Sequence, residues 1–192
     1  RRSVYRMADE PELFPEPYPP ELLRRLPGLL RRVDLVVTTA RRLEARAREH
    51  RDHDVLYLPN GVDYDHFAAT RPEPTELATI PRPRVLYVGS LEPWFDTELV
   101  ARAARAHPSF NFVIIGPERI PVGELRALEN VHVLGQRPYV VVPEYMAHAD
   151  VGVIPFRQGD AIRAVHPIKV YEYLAAGLPV VATDWEELAA MD

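Results

Sequence analysis

The chain has no cysteine, so disulfides and thiolate metal sites are excluded. It has almost no lysine: of 23 basic side chains, Lys169 is the single lysine and the rest are arginines. A strong bias towards arginine has spared one compact, flexible ammonium, and the two cations are not interchangeable. No apolar run reaches the roughly 20 residues of a membrane-spanning helix. The start, Arg1-Arg2-Ser3-Val4-Tyr5-Arg6, has neither an initiator Met nor the apolar core of a signal peptide. The expectation there is a fragment, a processed chain or an artificial start. Neither G-x-G-x-x-G nor G-x-x-x-x-G-K-[ST] occurs, so the standard dinucleotide and P-loop signals are missing. The seven histidines are scattered with no H-E-x-x-H, and no metal site is expected. A net charge of −5 does not imply a nucleic-acid partner.

What is present is a globular composition, 47% apolar over 192 residues, enough for one large domain or two small ones. Charge is uneven. Residues 1–59 carry 12 arginines against 10 acids, and residues 60–192 carry 11 basic against 18 acidic side chains. The basic excess suggests either contact with an anionic membrane or, for Arg41, Arg42, Arg46 and Arg48, a solvated helix face; the second is preferred.

In chain order, Ser3–Asp9 reads as a strand and Pro11–Pro20 as a proline-rich loop with Phe14 and Tyr18. A helix opens at Pro20 with Leu22, Leu23, Leu26, Leu29, Leu30 and Val33 at helical spacing. Pro27-Gly28 is expected to break or kink it. Asp34–Thr39 and Val55–Leu58 read as strands, with a basic helix from Arg41 to His50 between them. Residues 62–81 read as irregular. Then strands and helices alternate: strands 84–88, 110–115, 131–134 and 150–155, and helices 97–107 (capped by Asp96), 124–128 and 143–149. The strands are continuous apolar runs, as in parallel sheets covered on both faces. Three of them stop at Gly89-Ser90, Gly116-Pro117 and Gly135-Gln136. The reading is a doubly wound sheet whose ligand edge lies at those glycines.

The most informative stretch is His166-Pro167-Ile168-Lys169-Val170-Tyr171-Glu172-Tyr173-Leu174-Ala175-Ala176-Gly177-Leu178-Pro179-Val180-Val181-Ala182-Thr183. It reads as a loop, a helix with Pro167 as its first residue, a Gly177 stop, and a short buried strand. A helix N-terminus favours anions, above all phosphate. Lys169 and Glu172, three apart, share a helix face. Lys169 suits a phosphate, and Glu172 one turn behind it suits a ribose diol. Trp94-Phe95-Asp96 reads either as a hydrophobic staple with a cap or as a wall of a ligand cleft.

The segment Lys169–Thr183 closely resembles the nucleotide-sugar-binding signature of the retaining group 1 (family 4) glycosyltransferases of the GT-B fold, in the subgroup linked to bacterial cell-surface polysaccharides. Pro59-Asn60-Gly61-Val62-Asp63 resembles the end of that family's N-terminal domain, and Val88-Gly89-Ser90 with Trp94-Phe95-Asp96 the start of its C-terminal domain. The resemblance implies an α/β, GT-B-like chain of two Rossmann-like doubly wound parallel-sheet domains, both incomplete here. Residues 1–63 would be the second half of the N-terminal acceptor domain, 64–83 a linker, and 84–192 the nucleotide-sugar-binding domain.

By resemblance, Lys169 neighbours the diphosphate, Glu172 holds the ribose, Gly89 and Ser90 flank the phosphates, and Gln136 and Arg137 touch the base. The family's first motif glutamate falls at Ala164, which removes its contact to the donor sugar; His166 and Pro167 are candidate substitutes. Asp9, at the end of a first-domain strand, is the remaining candidate near the reacting sugar. The activity implied is retaining, metal-independent transfer from a nucleotide-diphosphate sugar to a glycan or lipid-linked acceptor. No cofactor is expected. The expected place is the cytoplasm or the inner face of the membrane. Two other functions stay open: a non-catalytic nucleotide-sugar-binding scaffold, and a sugar epimerase of similar architecture.

Overall fold

The computed structural model describes residues 1–13 and 18–191. Phe14, expected in the proline-rich loop, lies outside the described residues. By internal contacts the chain forms two compact units: residues 1–61, 158–167 and 184–192 in the first, and 62–157 and 168–183 in the second.

The first unit is built on a parallel sheet of β1 (Val4–Met7), β2 (Leu35–Thr38) and β3 (Val55–Tyr57), in that spatial order. The helix α1 (Pro20–Arg32) joins β1 to β2, and α2 (Arg41–Arg48) joins β2 to β3. Of the break or kink expected at Pro27-Gly28, the break does not occur: α1 runs through Pro27. Leu26 and Leu30 on either side of Pro27 are buried with Val33, Val36 and Ala47. That burial anchors both halves of the helix and outweighs the one backbone bond the proline removes. The arginines of α2 are neutralised within the unit. Arg42 pairs with Glu10 at 3.2 Å, Arg48 with Glu44 at 2.9 Å, Arg41 with Glu44 at 3.4 Å, and Arg46 with Glu12. Arg41 and Arg48 thus form the expected solvated face, paired within the helix, whereas Arg42 and Arg46 are part-buried against the segment after β1.

In the second unit the expected irregular stretch 62–81 contains two short helices, α3 (Tyr64–Ala68) and α4 (Thr75–Ala78). Asp63 caps α3 by accepting from the His66 N–H at 3.2 Å, and Phe67 and Leu77 anchor the two helices, almost wholly buried. A parallel sheet follows, in the order β6-β5-β4-β7-β8. Its strands are β4 (Arg84–Val88), β5 (Asn111–Ile115), β6 (Val131–Gly135), β7 (Val151–Ile154) and β8 (Val180–Ala182). The helix α5 (Thr97–Ala106) follows β4, α6 (Gly123–Arg126) follows β5, and α7 (Val142–Ala147) follows β6 after a 3₁₀ turn over Tyr139–Val141. Asp96 caps α5 through the Leu99 N–H at 2.9 Å, and Phe95 is buried against Tyr87 with ring centroids 4.6 Å apart. Of the two readings of Trp94-Phe95-Asp96, the cap at Asp96 is present, and Phe95 packs on Tyr87 of β4.

Between β7 and β8 the chain forms α8 (Asp160–Arg163), inside the segment read as loop, and α9 (Ile168–Ala175). Pro167 precedes the first residue of α9 instead of being it. Gly177 ends α9 at φ +76°, with the Leu178 N–H donating to the Tyr173 carbonyl at 2.9 Å and the Gly177 N–H to Leu174 at 3.0 Å. This is the paired-bond helix stop that a glycine makes cheaply. The strand β8, expected to be interior, lies at the edge of the sheet, and Val181 is 61% exposed. Its apolar letters are those of a buried strand, but among the described residues it pairs with β7 alone. The chain closes with α10 (Glu186–Ala189), assigned to the first unit. Among the described residues no helix is long and apolar enough to cross a membrane.

Candidate functional site

The site is assembled in the second unit by one aromatic anchor. Tyr173 on α9 is fully buried; its hydroxyl accepts the Val88 N–H of β4 at 2.9 Å. Its ring lies over Gly152 of β7, where a Cβ would come within 2.6 Å of the ring. Those two contacts clamp α9 onto the middle of the sheet. One helical turn earlier, on the same face, stands Lys169. Its ammonium reaches the carboxyl end of β4: a Cβ built on Gly89 would sit 2.4 Å from the Lys169 Cε and 2.8 Å from Nζ. Gly89 is glycine because the lysine occupies that space and because its φ is +153°. The neighbouring turn is equally tight. A Cβ on Gly116, at φ +155°, would fall 1.8 Å from the Gly89 carbonyl oxygen. The Gly89 N–H donates to Ile115 at 2.8 Å, and the Gly116 N–H to Gly135 at 3.0 Å. The glycines expected at the ligand edge thus form one packed backbone ridge beside the Lys169 ammonium.

The Lys169 ammonium lies 6.0 Å from the Tyr87 ring centroid and 5.8 Å from that of Phe156, so aromatic faces line its surroundings. Burial lowers its pKa from the ordinary lysine value, and Glu172 acts against that shift. Burial likewise raises the Glu172 carboxyl, opposed by Lys169 and His66. Lys169 and Glu172 form a desolvated pair of opposite sign, three residues apart. Ser90 is turned away to a partner of its own, its hydroxyl donating to Glu92 at 2.6 Å.

A cavity of about 230 Å³ opens beside the ridge, lined by Gly89, Gly116, Gln136, Arg137, Tyr139 and Val142 among others. Arg137 is held from within. Its Nε and Nη2 donate to the Glu76 carboxylate at 2.8 and 2.7 Å, and its Nη1 donates to the Leu134 and Gln136 carbonyls at 2.7 and 3.0 Å. Glu76 also accepts from Tyr145. This arginine braces the loop after β6, and the brace raises its own pKa while lowering that of Glu76.

The remaining expected residues belong to the first unit. Asp9 is exposed past β1; desolvation raises its carboxyl pKa against the pull of Arg6. His166 is buried, burial lowers its pKa so the ring is neutral at pH 7, and its carbonyl accepts from Asn60 at 3.1 Å. Pro167 is also buried. Ala164 is wholly buried against Met7, Ala40 and Leu43. A carboxylate at that position would lie in an apolar cluster, at several kcal/mol of desolvation (order of magnitude). Of the ten positions considered, six therefore fall in the second unit, and four, Ala164 included, in the first. Among the described residues no three His, Asp or Glu side chains group so as to hold a metal ion.

Against known proteins, residues 82–191 match the model of the family described as glycosyl transferases group 1. The chain belongs to the group 1 glycosyltransferases. Over 140 residues, 70% of its length, it is 33% identical to TuaH of Bacillus subtilis (strain 168), whose name assigns it to teichuronic acid biosynthesis as a glycosyltransferase. The chain spans 35% of that relative's length. Anabaena HepE, solved with UDP and glucose, superposes with a TM-score of 0.74 at 20% identity, covering 99% of this chain and 55% of HepE. Staphylococcus aureus TarM, solved with UDP among other ligands, gives 0.61 at 12% identity, covering 96% of this chain and 37% of TarM. These likenesses at low identity show the fold, which is GT-B. This group 1 chain has site features that its letters concealed. Tyr139, His66 and Glu76 gave no periodic signal: His66 and Glu76 lie in the stretch 62–81 read as irregular, and Tyr139 in the loop between the strand 131–134 and the helix 143–149. Only Asp63, a capping residue ahead of Phe67, could have pointed to α3.

Proposed function

We propose that the protein is a retaining, metal-independent glycosyltransferase that takes its sugar from a nucleoside-diphosphate donor and passes it to a glycan or lipid-linked acceptor. The observation that carries this reading is the Lys169 ammonium held against Gly89 at the carboxyl edge of β4. A diphosphate needs a preorganised cation and a close approach of backbone, and that edge offers the Lys169 ammonium beside a side-chain-free Gly89. The reading gives Lys169 the departing diphosphate, so that the charge developing as the glycosidic bond breaks meets a preorganised cation. It gives Glu172 the ribose hydroxyls, Gly89 and Ser90 the backbone beside the phosphates, and Gln136 the edge of the base. Asp9 and His166 are kept for the sugar end. The reading takes the activity to cell-envelope polysaccharide assembly, on the cytoplasmic side of the membrane.

A second reading is a nucleotide-sugar-binding module without turnover. It is favoured by one observation, the burial of Ala164 among Met7, Ala40 and Leu43 where the family's donor-sugar glutamate would fall. One experiment separates the two. The full-length protein is incubated with UDP-, GDP- and ADP-linked sugars, acceptor glycans and a chelator, and the product anomer is read by NMR. Transfer with the donor's anomeric configuration, undiminished by the chelator, supports the first reading. Donor binding with no transfer supports the second. Inversion, or loss of transfer on chelation, contradicts the proposed chemistry.

A further inference from the structure

The diphosphate site leaves the basic excess of the first unit unexplained. Of the 12 arginines in residues 1–59, Arg41, Arg42, Arg46 and Arg48 pair with Glu10, Glu12 and Glu44. Arg51 donates to the Leu30 and Val33 carbonyls at 3.1 and 2.9 Å, and Arg6 to the Asn60 side chain at 2.7 Å. Apart from Arg1 and Arg2, the rest stand on α1: Arg24, Arg25, Arg31 and Arg32, all exposed. Arg31 follows Arg24, and Arg32 follows Arg25, after two helical turns, so the four share the face opposite the buried Leu26 and Leu30. At the helical rise they cover about 12 Å of its length. Gly28 stands between the two pairs and leaves open space there: a Cβ on it would meet nothing within 4 Å. Glu21 lies on the same face and pairs with Arg24 and, at 2.7 Å, with Arg25. Among the described residues Arg31 and Arg32 meet no carboxylate. Leu22 on the helix and Tyr18 just before it are 39% and 40% exposed.

We propose that the outer face of α1 docks the protein onto an anionic lipid bilayer, with the four guanidinium groups at headgroup phosphates and Leu22 and Tyr18 in the headgroup layer. A guanidinium fork matches the oxygens of a phosphate in pairs. Exposed aliphatic and aromatic side chains beside a basic helix face are what an interfacial contact uses. The patch is short and has apolar ground at one end. A nucleic acid or other long polyanion is served better by a longer track of cations without apolar neighbours. The chain as a whole carries −5, so the attraction is local to this face and reaches about 10 Å at 0.1 M salt. The inference does not rest on the nucleotide reading and goes beyond it.

The test is co-sedimentation of the full-length protein with vesicles of phosphatidylcholine alone and of phosphatidylcholine mixed with phosphatidylglycerol, at low and high salt. The proteins compared are the unaltered one, the double variant Arg31→Gln with Arg32→Gln, and a control with Arg41→Gln and Arg48→Gln on α2. The unaltered protein should bind the mixed vesicles, spare the neutral ones and come off at high salt. Each arginine near an anionic surface is worth about fivefold in partition, so the α1 variant should partition about twentyfold less. The control removes as many charges from a face already paired with Glu44 and should leave partition unchanged. All these side chains are exposed, so the fold should survive, which a thermal melt checks. Arg31→Lys with Arg32→Lys, which keeps the charge, should bind as the unaltered protein does. No binding to the mixed vesicles overturns the proposal. Binding undiminished in the α1 variant overturns it too, as does equal weakening by the α1 variant and the control, since the attraction is then diffuse. Retention by soluble heparin with none by the vesicles overturns the bilayer and assigns the face to an anionic polymer.

Discussion

Gly89 and Lys169 are 80 positions apart in sequence and share one small volume. Their interdependence gives a test at the scale of single atoms. In Gly89→Ala the new methyl group would lie 2.4 Å from the Lys169 Cε, so the ammonium must leave its place. The change should weaken nucleoside-diphosphate binding at least tenfold, read by calorimetry. A control at Gly123, where a Cβ meets nothing within 4 Å, should leave binding unchanged. At this scale the sequence was informative where chemistry is rare. One lysine among arginines, and glycines at strand ends, marked positions that the fold brings together at one edge of the sheet. It was uninformative for Tyr139 and Glu76. An exposed tyrosine or a surface glutamate is common, and its role comes only from long-range contacts such as the Glu76–Arg137 pair.

At the scale of elements, α9 is a lever held by Tyr173. Gly152→Ala drives a methyl group into the Tyr173 ring at 2.6 Å. The expected cost is about 1–3 kcal/mol of unfolding free energy, measured by denaturant titration. Nucleotide affinity should fall with it, because Lys169 rides on the same helix. A second element-scale test concerns α10. Glu187, buried at 2% exposure, accepts the backbone N–H of Arg42 at 3.1 Å at the start of α2, whose own Ala40 offers no side-chain cap. Burial raises the Glu187 carboxyl, and the Arg42 and Arg41 N–H groups pull the other way. A folded pKa above the unfolded one means that the native state binds the extra proton. Stability then falls as pH rises from the ordinary carboxylate range through the raised value. Glu187→Gln, which keeps an acceptor oxygen and cannot ionise, should flatten the stability–pH curve in that window; an unchanged slope would count against the assignment. The long strands and helices were legible from period and caps. The short ones, α3, α4 and α8, were not, because four or five residues carry less than two turns of pattern. The edge position of β8 was hidden for another reason: its apolar residues describe a buried strand, and pairing order is not written in any one strand.

At the scale of the whole molecule, the α/β class, the parallel sheets and the GT-B family were all legible, because β–α alternation leaves few alternatives and the Lys169–Thr183 signature is specific. The strand order β6-β5-β4-β7-β8 needed coordinates. So did the division of the expected site residues between two units, which rests on contacts and not on chain order. The pairing of Arg42 and Arg46 on α2 was likewise invisible in a charge count, since their partners Glu10 and Glu12 come from the segment after β1. The central claim, that Lys169 and Glu172 on α9 form a nucleoside-diphosphate site with the glycine ridge, is tested most directly by titrating UDP, GDP and ADP into the protein and into Lys169→Ala and Glu172→Ala. The account predicts that at least one nucleotide binds the unaltered chain. It predicts that Lys169→Ala weakens that binding about tenfold or more, and that Glu172→Ala weakens the nucleotide but not pyrophosphate, as loss of charge-assisted hydrogen bonds requires. No binding by the unaltered chain, or binding untouched by both substitutions, would contradict it.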